Sequence, residues 1–393
     1  MIIRKTLPEE KRRVNEIFAI AFEQPLDENN PPIRDSAMTW AAFTDDMQMM
    51  STVTFTDFNV NFDGSTCKMA GAGGVATLPQ YRRCGGIRGC FTKALPELYK
   101  DGYDFSFLFP FSTSYYRKFG YESCVRKYRT VVDLGLLDPP KAEGRLVLAE
   151  CGSDFSGAVK TIDAAWENKY NMAVRHGDEY YSWVSKCNPA VTQEFTYIYF
   201  SKNGTPKAYT TFRKADEPDG RNLVCKHFCF TDKEGYNGLM ILFRSFASDH
   251  RFVKFDLPAD DGMLYLMPEW SLGAVKWTVL PAGMVRVINV KSVLEKARYL
   301  GSGHIVLKIT DKIVPENCGC FEVRFTNGRA DSVSQTGDTP DAVLDISAFS
   351  ALIAGACRFE EADGRLEGFE IMNRDACFDR VFYQKPLMIR DYF

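Results

Sequence analysis

The chain has 393 residues, of which 45% are hydrophobic and 25% charged, with a formal net charge of −3 and a pI near 6.0. This length exceeds what one hydrophobic core usually serves, so we expect two or three domains. The slight acidic balance argues against a dedicated nucleic-acid-binding protein, which would carry a basic surplus, but it leaves room for a local basic patch around a phosphorylated cofactor.

The sequence also argues against export and against a membrane segment. No apolar run reaches the roughly 18 residues that a membrane-spanning helix needs. Charged residues near the N-terminus leave no room for the apolar core of a signal peptide; they are Arg4, Lys5, Glu9, Glu10, Lys11, Arg12 and Arg13. The twelve cysteines are scattered without a Cys-x-x-Cys pair. We therefore expect reduced thiols and a cytoplasmic protein without a membrane partner.

Residues 1–130 predict a mixed sheet with helices packed on it. Apolar residues recur at helical spacing over residues 8–22. Two strands are predicted at residues 50–62 and 66–75, joined by the turn signal Asp63-Gly64. A loop rich in Arg and Gly, a helix over 86–100 and an apolar strand over 105–109 follow. This order indicates a mixed sheet covered by helices.

Residues 146–280 repeat that order and suggest a duplicated fold. The predicted elements are a helix at 155–166, strands at 195–200, 208–213 and 223–230, a helix at 238–248 and a strand at 252–257. The segment that opens the second helix, residues 231–238, contains no arginine and carries Asp232 and Glu234. Since a phosphate needs positive charge there, we expect this copy to lack a cofactor site.

From about Pro281 onward the pattern predicts a smaller α+β domain without a recognisable catalytic motif. Its predicted elements are strands at 285–289 and 303–310, a helix at 290–299 between them, a hairpin of residues 321–325 and 330–334 turning at Asn327-Gly328, and two helical or mixed segments at 346–354 and 369–377.

One cluster of cysteine and histidine has the residue types of a zinc site. Cys225, His227 and Cys229 alternate along a predicted strand, so all three are expected on one face. Zinc would need a fourth ligand, and usually a turn between ligands. The chain has only four histidines and no second cluster nearby. We interpret the cluster as a strand face and predict no metal.

The segment that indicates chemistry joins the strand at 66–75 to the helix at 86–100. It reads Val75-Ala76-Thr77-Leu78-Pro79-Gln80-Tyr81-Arg82-Arg83-Cys84-Gly85-Gly86-Ile87-Arg88. Adjacent glycines allow the backbone to approach a phosphate, and free N–H groups at a helix start suit a pyrophosphate. Three arginines add charged donors at the same end. The segment is neither a Walker A loop nor a Gly-x-Gly-x-x-Gly fingerprint. A basic turn that merely begins a helix is the alternative, which the strand–loop–helix context disfavours.

Arg82 to Ile87 resembles the pyrophosphate loop of the GNAT acetyltransferases, Gln/Arg-x-x-Gly-x-Gly/Ala, except that Ile87 replaces the last, small residue. Two GNAT-like units, the second without this loop, precede a small α+β domain. This layout resembles the Eis-like (enhanced intracellular survival) acetyltransferases, whose third domain is similar to sterol carrier proteins. A second signal is Tyr116-Arg117-Lys118-Phe119-Gly120-Tyr121. The resemblance implies an α+β fold with a GNAT domain at 1–140, a GNAT-like domain without cofactor loop at 141–282 and a sterol-carrier-like domain at 283–393.

The same resemblance implies the site residues. Acetyl-CoA is expected to contact a set of residues on the loop and after the apolar strand: Val75, Ala76, Thr77, Arg82, Arg83, Cys84, Gly85, Gly86, Ile87, Arg88, Phe111 and Ser112. Tyr116 falls on the family's proton donor, and the family's proton acceptor is the terminal α-carboxylate, here that of Phe393. On the residues alone, a core role for Tyr116, its neighbour Tyr115 as the acid, and a disordered chain end stay open as alternatives.

These expectations describe an enzyme: an acetyl-CoA-dependent N-acetyltransferase that acts on an aminoglycoside-like compound, a polyamine or a lysine side chain, with general acid/base catalysis. Two other classes stay open, a lipid or hydrophobe carrier built on the C-terminal domain and a non-catalytic CoA sensor. Asp27, Glu28, Asp35 and Trp40 suggest either a pocket for a cationic substrate or a solvated loop. By resemblance we expect a homo-oligomer, with a hexamer favoured.

Overall fold

The computed structural model describes residues 1–34, 36–138, 141–259, 265–266 and 273–393. The strands, in chain order, are β1 (Ile2–Lys5), β2 (Met38–Phe43), β3 (Met49–Phe62), β4 (Ser65–Thr77), β5 (Phe105–Leu108), β6 (Glu122–Ser123), β7 (Arg126–Asp133), β8 (Arg145–Leu148), β9 (Glu194–Phe200), β10 (Pro206–Glu217), β11 (Gly220–Phe230), β12 (Phe252–Pro258), β13 (Val275–Pro281), β14 (Met284–Val287), β15 (Gly303–Thr310), β16 (Gly319–Thr326), β17 (Arg329–Thr336), β18 (Ala342–Asp345) and β19 (Phe369–Ile371). The α-helices are α1 (Lys11–Ala21), α2 (Gly86–Lys100), α3 (Thr113–Arg117), α4 (Ser156–Lys169), α5 (Pro189–Thr192), α6 (Lys233–Arg244), α7 (Val290–Lys296), α8 (Ile346–Ala354), α9 (Phe359–Ala362) and α10 (Phe378–Val381).

These elements form two compact units. The first contains Met1–Val125, Ala282–Lys385 and Ile389–Phe393, and the second contains Arg126–Pro281 and Pro386–Met388. The chain therefore leaves the first unit after Val125 and returns to it at Ala282.

The first unit carries a seven-stranded sheet in the order β1-β2-β3-β4-β5-β14-β6. Only β4 and β5 run parallel, as expected for two strands joined by the crossover helix α2. Helix α2 buries a continuous apolar stripe that includes Ile87, Phe91 and Leu95 against Val53 and Phe55 of the sheet. The apolar residues whose spacing predicts this helix from the sequence are the residues that it buries.

A second sheet of the first unit has the order β17-β16-β15-β18-β19. Its strands β15 and β18 run parallel, and the other neighbours are antiparallel. Helix α8 follows β18 directly; most of its residues are buried, and Asp345 caps its start by accepting a hydrogen bond from the Ala348 amide at 2.8 Å. This part of the chain thus combines a mixed sheet with buried helix α8.

The second unit has one seven-stranded sheet in the order β13-β7-β12-β11-β10-β9-β8. Read from β8, it repeats the order of the first sheet, and again one central pair, β11 with β12, runs parallel. Aromatic residues dominate the core, with Phe228 stacked on Phe255 at 4.0 Å between ring centroids. The duplicated fold predicted from the sequence is confirmed.

Three sequence predictions are corrected by this topology. The strand predicted at 285–289 belongs not to the third domain but to the first sheet, where β14 lies between β5 and β6. Strand β7 has no counterpart among the predicted strands and pairs with β12 and β13 in the second sheet. The helix predicted at 238–248 begins at Lys233, because Asp232 caps it.

Other predicted boundaries hold closely, including α2, β15 and α8. The segment at 369–377, predicted as helical or mixed, contains only the short strand β19. The domain limits 1–140, 141–282 and 283–393 stay a prediction. No helix in the described part of the chain is long and apolar enough to cross a membrane.

Candidate active site

A cavity of about 870 Å³ lies in the first unit beside the end of β4 and the start of α2. Most of the residues predicted to contact the cofactor line it: Val75, Ala76, Thr77, Arg82, Arg83, Gly85, Gly86, Ile87, Arg88 and Phe111. Cys84 and Ser112 are not among the lining residues; Cys84 is an exposed loop residue and Ser112 precedes α3. The structure thus gathers the predicted loop around one space.

The loop that opens α2 has the geometry of an anion site. Gly85 is the residue before the helix, with φ of 84°, and no side chain caps the first turn. A Cβ added at Gly85 would meet nothing within 4 Å, so the helix start is open to a ligand. Gly86, in contrast, lies against the Ser51 side chain, and its missing side chain allows α2 to approach β3. The exposed N–H groups of such a start carry partial positive charge.

Three arginines surround this helix start. Arg82, Arg83 and Arg88 are exposed, and none of their guanidinium groups makes a hydrogen bond or ion pair within the described residues. Arg83 adopts a left-handed φ of 67°, which is uncommon for a residue with a side chain. Cations without an internal partner at a helix N-terminus gain nothing from the helix dipole, so a bound anion is the partner that suits them.

The sheet opens next to this loop. Strands β4 and β5 pair from Met69 to Gly71 on β4, but β4 continues beyond that point to Thr77. The pairing of β4 with β3 shifts register beyond Gly73, where Gly74 has a φ of 52°. This β-bulge bends β4 away from a regular ladder, as bulges beside active sites commonly do.

Tyr116 lies deeper than its neighbour Tyr115. Its side chain is 2% exposed and makes edge contacts with Phe91 and Tyr121. Burial, assisted by the neighbouring Tyr115 and Tyr121, raises the pKa of Tyr116, so its hydroxyl stays protonated at neutral pH. Within the described part of the chain, no hydrogen bond contributes to this shift.

Tyr115, rather than Tyr116, lines the cavity. Burial also raises the pKa of Tyr115, and the nearby Arg88 opposes this shift. Consecutive residues of a helix point about 100° apart, so one of the two faces the cavity and the other the core. Phe111 bridges them, because its ring centroid lies 5.3 Å from those of both tyrosines and it also lines the cavity.

A buried arginine that the sequence did not indicate holds the turn after Tyr116. The Arg286 Nε donates to the Phe119 carbonyl at 2.7 Å, and its Nη2 donates to both carboxylate oxygens of Asp311 at 2.9 Å. Arg286 is fully buried and Asp311 is 7% exposed. The two residues lie far apart in the sequence and form no local motif, so no sequence signal could have found the pair.

Phe393 lies against β4. Its ring centroid is 5.7 Å from that of Phe58 and 5.3 Å from that of Phe109. Its carboxyl carbon and oxygen lie over Gly73. The terminal carboxylate makes no hydrogen bond or ion pair with any described residue. The chain end is therefore packed by its ring while its carboxylate keeps free acceptor capacity.

The corresponding helix start in the second unit is closed. The Asp232 carboxylate accepts a hydrogen bond from the Gly235 amide at 3.0 Å and forms an ion pair with Lys207 at 2.6 Å. A Cβ at Gly235 would collide with the Lys207 carbonyl, and one at Gly238 with the Tyr199 ring. The start of helix α6 is thus capped and its charge balanced by side chains of the chain itself, although a cavity of about 250 Å³ lined by Asp232 and Lys233 lies beside it.

The other sequence candidates lie elsewhere. A β-bulge at Lys226 breaks the alternation between Cys225 and His227, so the expected single face of Cys225, His227 and Cys229 is wrong. Burial raises the pKa of the Cys225 thiol to about 12, and within the described residues no group of three or more His, Cys, Asp or Glu is placed to hold a metal ion.

The residues suggested for a cationic-substrate pocket do not line the cavity. Trp40 is buried in the core of the first sheet, Asp27 is exposed, and Glu28 pairs with Arg12 at 3.1 Å on the surface. Asp35 lies outside the described residues.

Family profiles define the class of protein. Residues 2–124 and residues 171–287 each match a profile described as an acetyltransferase (GNAT) domain, and residues 290–386 match one described as a sterol carrier protein domain. The two GNAT matches together span more than half of the chain. The chain belongs to the GNAT acetyltransferases and is an acyltransferase.

Solved structures share this three-domain fold along the whole chain. A conserved protein of unknown function from Enterococcus faecalis, described as a probable N-acyltransferase, superposes with a TM-score of 0.86 at 22% identity, covering 100% of this chain and 99% of that chain. A GCN5-related N-acetyltransferase from Anabaena variabilis gives 0.85 at 16% identity, with both chains covered fully.

Eis1 from Mycobacterium abscessus gives a TM-score of 0.81 at 17% identity, again with 100% of both chains covered. The chain is therefore Eis-like in architecture, with two GNAT domains followed by a sterol-carrier-like domain. No curated protein sequence matches it significantly.

Proposed function

We propose that the first unit transfers an acetyl group from acetyl-CoA to an amine. The observation that carries this proposal is the open start of α2, where Gly85 has free space above it and three arginine side chains have no partner among the described residues. An anion of high charge suits that place, and a pyrophosphate is such an anion. The cavity of about 870 Å³ continues from there to the bulge of β4, which leaves room for an extended cofactor.

The residues of the loop divide the binding between backbone and side chains. The N–H groups of Gly86, Ile87 and Arg88 at the uncapped helix start are placed to donate to phosphate oxygens. Arg82 and Arg83, exposed in the preceding loop, add charge-assisted donors. Beyond the bulge, Val75 lines the cavity where β4 and β5 diverge, and its backbone is suited to hold the thioester end.

The chemistry requires a neutral amine. Acetyl-CoA supplies the acetyl group as an activated thioester. A lysine-like amine with a pKa of ~10.4 costs roughly 4–5 kcal/mol to deprotonate at pH 7, so a base beside it is useful. We assign this role to the terminal carboxylate of Phe393, which lies over β4 next to the bulge and has no polar partner in the described part of the chain. One intervening water is enough to relay the proton, because a carboxylate is a weak base on its own.

The departing thiolate requires a proton, which we assign to Tyr116. Burial keeps its hydroxyl protonated, and no described side chain occupies it with a hydrogen bond. A tyrosine of ordinary pKa ~10 can already donate to a thiolate whose conjugate acid has a pKa near 8.5 once the two are in contact. As the C–N bond forms and the C–S bond breaks, two protons leave the nitrogen of a protonated amine; one ends on the sulfur of CoA and the other is released to solvent through the carboxylate.

The carrier alternative rests on the sterol carrier protein match at 290–386. Helix α8, which follows β18 in that domain, is almost wholly buried and packs against β14 of the first sheet. An open groove of about 510 Å³ in the same domain is lined by Asp338, Asp341 and Asp375 among others, and such a polar lining does not suit a sterol. Transfer chemistry in the first unit is therefore the function that the structure supports best.

Release of CoA measured by chromatography tests the proposal. Acetyl-CoA is incubated with the full chain and a panel of amines: a polyamine, an aminoglycoside and a lysine peptide, each matched with its fully N-acetylated form. We expect CoA release and a mass gain of one acetyl group with at least one free amine and with none of the acetylated forms. Tight acetyl-CoA binding without release by any amine would instead support a non-catalytic sensor.

The assembly is part of the same proposal. By resemblance to the Eis-like enzymes we expect a homo-oligomer, with six copies favoured. Light scattering at micromolar concentration measures the mass directly, and a monomeric mass would contradict this expectation.

A further inference from the structure

Two glycines of β4 have no conformational reason to be glycine. Gly71 and Gly73 lie in the body of the strand, and neither has a positive φ, whereas the bulge residue Gly74 has a φ of 52°. Glycine inside a strand weakens it relative to a residue with a side chain, and it often marks a close approach of another group. Both positions would accept alanine as far as the backbone is concerned.

The close approach at both positions comes from Phe393. A Cβ added at Gly71 would lie less than 3.0 Å from three atoms of the Phe393 side chain. A Cβ added at Gly73 would lie less than 3.0 Å from the Phe393 carboxyl carbon and oxygen, and no other described atom outside its chain neighbours comes within 4 Å of it. The two glycines face the same side of the strand, two residues apart, as the ring and the carboxyl group require.

We propose that Gly71 and Gly73 are positioning residues that seat Phe393 on β4, Gly71 by accepting the ring and Gly73 by accepting the carboxyl group. Phe58 and Phe109 hold the ring from the sides, and the bulge at Gly74 directly follows the seat. The inference rests on the proposed function in one respect, the use of the Phe393 carboxylate as the base. It adds that the lack of side chains at Gly71 and Gly73 sets the position of the base.

The test uses Gly71→Ala and Gly73→Ala in the full chain. A misplacement of about 1 Å can lower turnover as much as 10²-fold, so we expect each variant to lose at least about 10-fold in kcat. The affinity for acetyl-CoA, measured by calorimetry, is expected to stay within about 2-fold, because neither glycine lines the cofactor cavity. Gly337→Ala is the matched control, because a Cβ there meets nothing within 4 Å and its φ is not positive.

Removal of the seated group distinguishes positioning from general damage to the strand. In a Phe393→Ala background the ring is gone, so Gly71→Ala is expected to change kcat by less than about 2-fold. In a chain that lacks Phe393 altogether, Gly73→Ala is expected to have no further effect. A strand damaged by alanine itself would lose the same factor in every background, and its thermal midpoint would fall.

The outcomes separate the two proposals. If deletion of Phe393 lowers kcat strongly but Gly71→Ala and Gly73→Ala leave it unchanged, the seat is wrong and the base assignment stands. If the chain without Phe393 keeps full activity, both the base assignment and the seat are wrong, while acetyl transfer itself stands. If the glycine variants lose the same factor with and without Phe393, the glycines serve the strand and not the terminal residue.

Discussion

The starts of α2 and α6 occupy the same place in two copies of one fold, yet they differ in every feature that matters for an anion. Gly85 leaves the start of α2 open and uncapped, and exposed arginines surround it. Asp232 caps α6, pairs with Lys207 and places a carboxylate where a phosphate would lie. In the second copy a side chain of the chain itself occupies the position that we propose for the ligand in the first.

If the first copy binds an anion as we propose, this difference shows how such a site can be absent from a second copy of the same fold. The free backbone N–H groups at a helix start need hydrogen-bond acceptors, and the positive end of the helix dipole needs a negative charge. Either a bound anion or a carboxylate of the chain itself provides both. Gly235 and Gly238 survive in the second copy as packing glycines against Lys207 and Tyr199. Glycine near a helix start is therefore a poor marker of phosphate binding unless the space above it is empty.

The largest effect that the comparison predicts concerns chemistry, which we place wholly in the first unit. Tyr116→Phe should lower kcat by roughly 10²-fold or more, the usual scale for a positioned proton donor. Acetyl-CoA affinity should change little, because the hydroxyl matters as the thiolate forms. Steady-state kinetics and a calorimetric titration measure the two quantities.

Tyr115→Phe is the matched control for that variant, since Tyr115 is adjacent and lines the cavity while Tyr116 does not. We expect a smaller loss of kcat than for Tyr116→Phe. A larger loss for Tyr115→Phe would show that the half-buried, cavity-lining tyrosine is the acid and that the resemblance places the role one residue too late.

Cofactor binding gives the next effect. Replacing Arg82 and Arg83 together by alanine removes two charge-assisted donors, each worth about 1.5–3 kcal/mol, so we expect acetyl-CoA affinity to fall by about 10²-fold or more. The fold should stay intact, because both residues are exposed and unpaired within the described residues. Arg12→Ala with Arg13→Ala on α1 is the matched control, and equal affinity in both double variants would refute the loop assignment.

The number of acetyl-CoA molecules bound per chain tests the difference between the two helix starts directly. A saturating calorimetric titration should show one acetyl-CoA per chain, because the carboxylates of Asp232 and Glu234 repel phosphate at the second helix start. Two equivalents per chain at saturation would mean that the second copy retains a site.

The smallest effect is expected from the cap of the closed helix. Asp232→Ala should destabilise the second unit by about 1 kcal/mol, because the Gly235 amide loses its acceptor and Lys207 its partner. Acetyl-CoA affinity should be unchanged, because we place the cofactor site in the other unit. Thermal unfolding measures the first effect, and a change in affinity would argue against the division of roles.

Local signals in the sequence predicted much of this structure. The apolar spacing of α2, the turn at Asp63-Gly64 and the acids at 231–238 are properties of short segments, and each gave the right element or the right charge. Strands β7 and β14 could not be assigned to their sheets because their partners lie far along the chain. No property of Met284–Val287 indicates that this segment pairs with β5 and β6. The same limit hid Arg286 and Asp311.

At the site, the sequence predicted the loop but not whether its arginine side chains would be paired. That Arg82, Arg83 and Arg88 have no internal partner depends on what the fold brings near them, which no local pattern contains. The contact of Phe393 with Gly71 and Gly73 depends on where a distant segment ends in space. Resemblance, rather than residue chemistry, suggested Tyr116 and Phe393, and their roles remain predictions for the experiments above.

The place of β14 in the first sheet has a consequence for synthesis of the protein on the ribosome. Strand β5, whose four residues are all buried in the finished fold, has β4 on one side and waits for β14 on the other. The whole second unit is translated in between, which takes on the order of ten seconds or more at cellular rates. During that time β5 is an apolar edge strand, the kind of edge that invites pairing with other chains. Nascent chains that stall within the second unit should therefore aggregate or bind chaperones, whereas chains released after Val287 can close the sheet.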